Sequence, residues 1–232
     1  MVSEKTKGKN PYNICTWDEG ADCANCINHN VLHCKWDKKA LTRFLILALI
    51  FMTMAFFGLA VTGILSGAWW LLIVYGVFYV VFFPFFEIRI LCSHCPFYGE
   101  GGRILHCIAN HGALKIWRYR PQPMNRFEKI SLVLCFIFFS GFPIVGQSYG
   151  IGFLAYNYGQ YGQLALLGMI GVALATLLTS IAFGSILMLS CCSSCINFSC
   201  PLNRTPRENI DEYLNRNPLL KEMWEEKGPR GT

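Results

Sequence analysis

The chain has 232 residues, of which 53% are hydrophobic and only 15% are charged. That charged fraction is well below the roughly 25% of soluble domains. Charged residues are absent from two long blocks, residues 44–86 and 130–203. Because one apolar helix of roughly 20 residues covers the hydrocarbon core of a bilayer, each block must hold more than one crossing. The composition argues against a soluble domain and predicts an all-α integral membrane protein.

The first apolar block is divided by small residues at 66–68, and the second by a Gly/Tyr/Gln-rich stretch at 150–163. This division predicts four transmembrane helices, arranged as two hairpins, at residues 41–65, 69–91, 127–149 and 164–189. In chain order, the predicted parts are a cytoplasmic four-cysteine segment (1–40), a transmembrane hairpin (41–91), a cytoplasmic Cys/His loop (92–127), a second transmembrane hairpin (128–190) and a cytoplasmic Cys-rich segment with a polar tail (191–232).

Charge sets the predicted orientation. With four crossings, all 20 Lys and Arg residues and all 14 Asp and Glu residues fall on one side of the membrane or at its edge. The positive-inside rule then places both termini in the cytoplasm, in a multi-pass protein of the inner or plasma membrane. Residues 1–40 lack the apolar core of a signal peptide, so we expect the first span to act as an uncleaved insertion signal. No basic stripe suggests nucleic acid as a partner.

The cysteines are distributed along the chain in the same way as the charged residues. Of the 12 cysteines, only Cys135 lies within a predicted helix, where a thiol behaves as a small hydrophobic group. The other eleven fall on the predicted cytoplasmic side. Since the cytoplasm is reducing and disfavours structural disulfides, closely spaced thiols there indicate metal binding.

The first cysteine set has the spacing C-x7-C-x2-C-x7-C, formed by Cys15, Cys23, Cys26 and Cys34. Four thiolates within twenty residues can close a tetrahedral site for Zn²⁺ or hold an iron–sulfur cluster. His29 and His33 are close enough in sequence to assist, but we expect them to be solvated.

Two further cysteine sets follow the second and fourth predicted helices. Cys92, Cys95 and Cys107, with His106 and His111 nearby, leave a four-ligand site one ligand short. The later set is C-x2-C-x4-C-P, preceded by one additional cysteine, and its final Cys-Pro is similar to that of ferredoxin cluster loops. Its cysteines are Cys191, Cys192, Cys195 and Cys200.

Two short sequence matches within the chain suggest an internal repeat. Residues 92–95 and 192–195 both read C-S-x-C, and residues 33–41 and 106–114 both read HC-x5-AL. If the repeat is real, Cys92 and Cys95 meet Cys192 and Cys195 in one shared site. The predicted metal ligands are therefore Cys15, Cys23, Cys26, Cys34, Cys92, Cys95, Cys107, Cys192, Cys195 and Cys200.

Weaker signals concern the helices and the tail. Glu87 and Arg89, which follow Pro84, are expected to form an interfacial ion pair. The pairs Gly146/Gly150 and Ser180/Gly184 have the small-xxx-small spacing of close helix contacts. Apolar residues of the tail, among them Tyr213 and Leu220, are expected to dock on the metal-binding part or on a partner.

The sequence favours an electron-transfer or accessory subunit over a stand-alone enzyme, because it contains no nucleophile–base arrangement and no phosphate-binding loop. The leading hypothesis is an iron–sulfur (4Fe-4S) subunit that carries electrons between a cytoplasmic redox partner and the membrane, either to a quinone or to a partner subunit. The alternative is a zinc-stabilised accessory subunit of a membrane complex. A third hypothesis, soft-metal handling by Cys191 and Cys192, is weakened because the helices carry almost no His, Cys or carboxylate at depth.

Overall fold

The computed structural model describes residues 9–226, and all of its regular elements are helical. The described residues contain no strand, only an isolated antiparallel bridge between Ile104 and Leu114. The α-helices are α1 (Lys38–Ser66), α2 (Trp69–Val81), α3 (Arg126–Tyr156), α4 (Tyr158–Ile186), α5 (Arg207–Asn215) and α6 (Pro218–Glu225). Ile88–Ile90 forms one further short turn of α-helix.

Four helical stretches are long and apolar enough to cross a membrane, which confirms the predicted number of spans. They are Lys38–Ser66, Trp69–His94, Arg126–Tyr156 and Tyr158–Ser194. Few residues in the apolar core of each span are buried inside the protein, between 11% and 28%, as expected for helices whose solvent is lipid. The protein is therefore a multi-pass membrane protein.

Two of the spans contain a π-helical turn shortly before a C-S-x-C motif. Phe82–Glu87 follows α2 and Leu187–Cys191 follows α4. Pro84 lies within the first of these turns, where its missing N–H and its ring disturb the regular α-helical ladder. Short 3₁₀ turns at Cys92–His94 and Cys192–Ser194 then end the two spans.

The connection between α3 and α4 is shorter than predicted. The stretch 150–163 was expected to be a turn, but α3 continues to Tyr156 and α4 begins at Tyr158. Asn157 interrupts the helices, and its side-chain amide donates a hydrogen bond to the Phe153 carbonyl at 2.9 Å. The kink falls at Gly162, whose φ of 75° favours glycine.

The chain divides into two compact units. The membrane unit comprises Leu45–Phe83 and Val133–Ile186. Its buried core is formed by Phe51, Ala55, Leu59, Ala68, Leu71, Tyr75 and Phe139. The buried Tyr75 hydroxyl donates to the Phe139 carbonyl at 3.0 Å, which satisfies the one polar atom of that side chain.

The second unit, the cysteine-bearing unit, comprises Met1–Phe44, Pro84–Leu132 and Leu187–Thr232, of which residues 9–44, 84–132 and 187–226 are described. Much of it is irregular, and helices α5 and α6 complete its core. Tyr213, Leu214 and Leu220 are buried there together with Ile14, Leu105 and Ile196. The expectation that the apolar residues of the tail dock on the cysteine-bearing part is confirmed.

Candidate metal-binding thiol groups

The four cysteines of the amino-terminal set line one cavity of about 440 Å³. We call Cys15, Cys23, Cys26 and Cys34 the amino-terminal thiol group. His29 and His33 line the same cavity, and Arg216 reaches it from the end of α5. The structure therefore brings all four predicted ligands of this set to a common space.

Cys15 is positioned by a residue far along the chain. The buried Asn217 donates from Nδ2 to the Cys15 sulfur at 3.1 Å, and its Oδ1 accepts the Cys15 main-chain N–H at 2.7 Å. The same Nδ2 also donates to the Tyr213 carbonyl at 2.7 Å. Asn217 thus ties the first cysteine to the loop between α5 and α6.

Cys23 and Cys26 lie on one turn of a segment that is tied to α5. The Cys26 N–H donates to the Cys23 carbonyl at 3.3 Å, which closes the C-x2-C turn. The segment is anchored to α5 by a pair of amides: Asn28 Nδ2 donates to the Asn209 carbonyl at 3.0 Å, and Asn209 Nδ2 donates to Asn28 Oδ1 at 2.7 Å.

Burial raises the pKa of Cys15 and raises that of Cys34 to about 12. The mutual repulsion of the neighbouring thiolates acts in the same direction. The Asn217 hydrogen bond and the positive charge of Arg216 oppose the shift at Cys15. The chain alone therefore favours neutral thiols here, and a bound cation is what would stabilise them as thiolates.

The second and third cysteine sets converge in space. The thiol of Cys95 is close enough to those of Cys107, Cys195 and Cys200 to be repelled by their charges, although Cys195 is 100 residues away in sequence. Cys195 and Cys200 are likewise close to Cys192. We call Cys92, Cys95, Cys107, Cys192, Cys195 and Cys200 the central thiol group.

Main-chain N–H groups donate to three sulfurs of the central thiol group. The donors are Asn110 for Cys107 at 3.0 Å, Asn197 for Cys195 at 3.4 Å and Leu202 for Cys200 at 3.4 Å. N–H donors of this kind favour the charged thiolate, and in iron–sulfur proteins they help set the reduction potential.

The two C-S-x-C segments have closely similar local geometry. Cys95 has φ −83° and ψ 137°, and Cys195 has φ −83° and ψ 131°. The Ser93 hydroxyl donates to the Arg89 carbonyl at 2.6 Å, and the Ser193 hydroxyl donates to the Leu189 carbonyl at 2.7 Å. Asn197 connects the two segments, because its Nδ2 donates to the Leu91 carbonyl at 2.9 Å.

Burial also dominates the ionisation of the central thiol group. It raises the pKa of Cys107 to about 11 and those of Cys195 and Cys200 to about 12. The pKa of Cys95 lies well above its ordinary value for the same reason, with repulsion from neighbouring thiolates added. Closely packed, desolvated thiols without a compensating positive charge are an unfavourable arrangement for anions and a suitable donor set for a soft cation.

The thiols are gathered but do not form a closed coordination site. Among residues 9–226, no group of three or more His, Cys, Asp or Glu side chains is arranged to hold a metal ion as the side chains stand. Metal binding at either thiol group would therefore require the thiols to move closer together than they lie here. The donor chemistry fits zinc, iron–sulfur clusters and other soft metals.

The nearby histidines have other partners. His106 Nδ1 lies 2.6 Å from Glu100 Oε2, and the His111 ring stacks on Trp36 with centroids 4.6 Å apart. Cys191 is close to Cys192. Cys135 lies in α3, in the membrane unit.

Two expectations from sequence are wrong in detail. The two HC-x5-AL segments do not share a local structure. Ala40 and Leu41 lie in α1, whereas residues 113–114 form a loop and α3 begins only at Arg126. Glu87 and Arg89 form no ion pair within the described chain. Two residues apart on a helical stretch, their side chains point in different directions. The Arg89 guanidinium instead lies 5.5 Å from the Trp117 ring centroid.

Several polar residues around the thiols were not predicted from sequence. Asn110 donates from its main-chain N–H to the Cys107 sulfur at 3.0 Å and from Nδ2 to the Cys92 sulfur at 3.2 Å. Asn217, Arg216 and Asn197 were also missed. Their partners lie far along the chain, so no local spacing signals these roles.

The chain matches no protein-family model, no curated protein and no solved structure. Its function is therefore inferred from its own residues and their geometry.

Proposed function

We propose that the protein is a membrane-anchored iron–sulfur subunit that carries electrons between a cytoplasmic redox partner and an acceptor in the membrane, either a quinone or a partner subunit. The observation that carries the proposal is the convergence of cysteines from distant parts of the chain, with N–H groups directed at their sulfurs. In the proposed topology, the thiol groups and both termini face the cytoplasm of a cell whose inner or plasma membrane holds the four spans.

Each thiol group contains enough sulfur ligands for a cluster. The amino-terminal group has four thiols around one cavity, and the central group has six. A bound cluster would supply one-electron chemistry. The chain's own residues would orient the sulfurs, through Asn217 at Cys15 and Asn110 at Cys92 and Cys107.

The desolvation of the central thiols suits a redox centre. Burial of a cluster and hydrogen bonds to its sulfurs both tune its reduction potential, and both features are present at Cys107, Cys195 and Cys200. Because the central group joins two loops that follow different membrane spans, metal binding there would also stabilise the cysteine-bearing unit.

Zinc is the second candidate, and a separate observation favours it. The segments 9–37, 92–125 and 192–206 contain only short turns of regular structure, yet they surround the core of the cysteine-bearing unit. Small domains with little regular structure often depend on a structural metal for folding. In that case the protein is an accessory subunit whose metal orders a docking platform.

Anaerobic purification separates the two candidates. We expect a brown protein that contains iron and acid-labile sulfide, loses its visible absorption on reduction with dithionite, and gives an electron paramagnetic resonance signal in one redox state. A colourless anaerobic sample with neither iron nor sulfide would overturn the iron–sulfur proposal, and stoichiometric zinc in that sample would support the structural role.

Paired substitutions assign the metal to the two thiol groups. Cys23→Ser with Cys26→Ser should remove the iron of the amino-terminal group only, and Cys95→Ser with Cys195→Ser the iron of the central group only. Cys135→Ser, in the membrane unit, is the matched control and should leave the iron content unchanged. If both pairs remove the same iron, the two groups are not independent centres.

A further inference from the structure

A short hairpin in the loop between the second and third spans has apolar side chains on its outer face. An antiparallel bridge joins Ile104 and Leu114, and the Lys115 N–H donates to the Arg103 carbonyl at 2.8 Å. Directly opposed side chains lie on the same face of such a pair, and a residue two positions further along returns to that face. Ile104, Leu114 and Ile116 are between 48% and 61% exposed. We call these three residues the hairpin face.

The other side of the hairpin packs inward, and it includes a lysine. Leu105 is buried in the core of the cysteine-bearing unit. Lys115 Nζ donates to the Glu100 carbonyl at 2.7 Å and lies 5.7 Å from the ring centroid of the buried Tyr98. A hairpin in water turns its apolar side chains inward and its charged ones outward. This hairpin has the reverse arrangement, which suits a segment whose outer surroundings are apolar.

The residue that follows the hairpin face is bonded to a membrane span. The Trp117 indole N–H donates to the Phe85 carbonyl at 3.3 Å, and Phe85 lies in the second span, Trp69–His94. The Trp117 main-chain N–H also donates to the Tyr98 hydroxyl at 3.0 Å. Tryptophan is enriched at the level where the hydrocarbon core meets the headgroups. The hairpin face therefore continues, through Trp117, into a surface that faces lipid.

The charge of this loop is strongly positive. Residues 101–129 contain six Lys and Arg residues and one acidic residue, Glu128, which is paired with Arg120. Arg103, Arg118 and Arg126 are exposed, and none of them takes part in an ion pair within residues 9–226. Exposed basic residues next to a membrane span are attracted to anionic lipid headgroups.

We propose that the hairpin face is a membrane-surface anchor for anionic phospholipid. Its three aliphatic side chains enter the boundary between headgroups and acyl chains, and Arg103 and Arg118 bind headgroup phosphates. The occupant is the bilayer that holds the spans, because the face is continuous with the second span and its loop carries the complementary charge. This anchor goes beyond the proposed electron transfer and does not depend on a bound metal.

Site-specific photo-crosslinking tests the apolar contact. The full chain, with p-benzoylphenylalanine in place of Leu114, is reconstituted into liposomes of equal parts phosphatidylglycerol and phosphatidylcholine and irradiated. Mass spectrometry then measures the fraction of chains that carry a lipid adduct. We expect a yield comparable to that at Val77, an exposed position of α2.

Ile27 is the matched control for this measurement. It is as exposed as Leu114, at 62%, but residues 15–34 contain three acidic residues and no Lys or Arg. Without attraction to an anionic surface, p-benzoylphenylalanine at position 27 should give only background lipid adducts.

A charge variant tests the headgroup contact. Arg103→Gln with Arg118→Gln should lower the ratio of phosphatidylglycerol to phosphatidylcholine adducts at position 114 by at least about threefold, because each basic residue near the surface adds attraction to anionic lipid. Arg207→Gln with Lys221→Gln removes the same charge from exposed positions of α5 and α6 and should leave the ratio unchanged. The adduct yield at Val77 verifies that the spans are inserted in each variant.

The outcomes separate the parts of the proposal. Lipid adducts no more frequent at position 114 than at position 27 would overturn the anchor. A crosslink from position 114 to a second copy of the chain would overturn it too, since the face would then be a protein interface. An unchanged lipid ratio in the arginine variant would overturn the role of Arg103 and Arg118. None of these results bears on whether the thiol groups bind metal.

Discussion

Asparagine side chains fix the positions of several thiols in this protein. The side chain of Asn217 donates to Cys15, that of Asn110 donates to Cys92, and that of Asn197 connects the segment after Cys195 to Leu91. An amide suits this role because one side chain offers both donors and an acceptor, and so can bond to a sulfur and to the main chain together. These asparagine side chains hold the cysteines in place, and without a bound cation the cysteines stay neutral thiols.

Replacement of Asn217 by alanine should therefore destabilise the cysteine-bearing unit. The change leaves the Cys15 N–H without its acceptor in a partly buried position, which costs about 1–3 kcal/mol. The free energy of unfolding in mild detergent measures this loss, and the rate at which Cys15 is alkylated should rise with it.

Asn215→Ala is the matched control for that measurement. Asn215 is exposed, with its side chain paired only to Lys221 at 3.0 Å, so we expect a change within about 0.5 kcal/mol. Equal losses in the two variants would mean that the bonds of Asn217 do not hold Cys15 in place.

At the scale of the helices, close packing in the membrane unit depends on particular glycines. A Cβ added at Gly146 of α3 would lie 2.5 Å from Leu59 Cδ2, and one at Gly150 would lie 2.9 Å from Thr62 Oγ1. At Gly184 of α4, an added Cβ would have no atom within 4 Å. Of the two small-xxx-small pairs predicted from sequence, the Gly146/Gly150 pair therefore marks a close contact between helices, and Gly184 does not.

The substitutions Gly146→Ala and Gly184→Ala should accordingly have opposite effects. The first forces a methyl group against the buried Leu59 and should lower stability by about 1–3 kcal/mol. The second meets no neighbour and should be neutral or slightly stabilising, because alanine favours helix over glycine. The melting temperature in detergent is the measurement, and a drop at Gly184→Ala as large as that at Gly146→Ala would refute the packing argument.

The number of spans could be predicted because it follows from the lengths of the uncharged blocks. The residues at which the spans begin and end could not be predicted. The stretch 150–163 is rich in glycine and polar residues, yet α3 and α4 run through most of it, since neighbouring turns satisfy the backbone groups there. The contacts that gather the thiols also escape sequence reasoning: Asn217 and Cys15 are 202 residues apart. The only sequence feature that indicated this convergence of thiols is the match between the C-S-x-C motifs at residues 92–95 and 192–195.

For the whole molecule, charge and thiols are divided in the same way along the chain. The membrane unit, residues 45–83 and 133–186, contains no Asp, Glu, Lys or Arg, and the rest of the chain carries all the charged residues together with eleven of the twelve cysteines. Under the proposed topology this division has a chemical consequence. Thiols on the cytoplasmic side stay reduced and can bind metal, whereas the same thiols in an oxidising compartment would form disulfides.

Reporter fusions test that topology directly. With alkaline phosphatase, which is active only after export from a bacterial cytoplasm, fusions after Gly67 and after Asn157 should be active, and fusions after Tyr119 and after Thr232 should be inactive. Green fluorescent protein fused at the same four positions should give the complementary pattern, and membrane fractionation verifies that each fusion is inserted. Phosphatase activity at Tyr119 and Thr232 would place the thiol groups outside the cytoplasm. Compartments outside the cytoplasm lack the reductants that keep cysteine ligands as free thiols. A reversed pattern would therefore contradict the proposed electron-transfer function as well as the orientation.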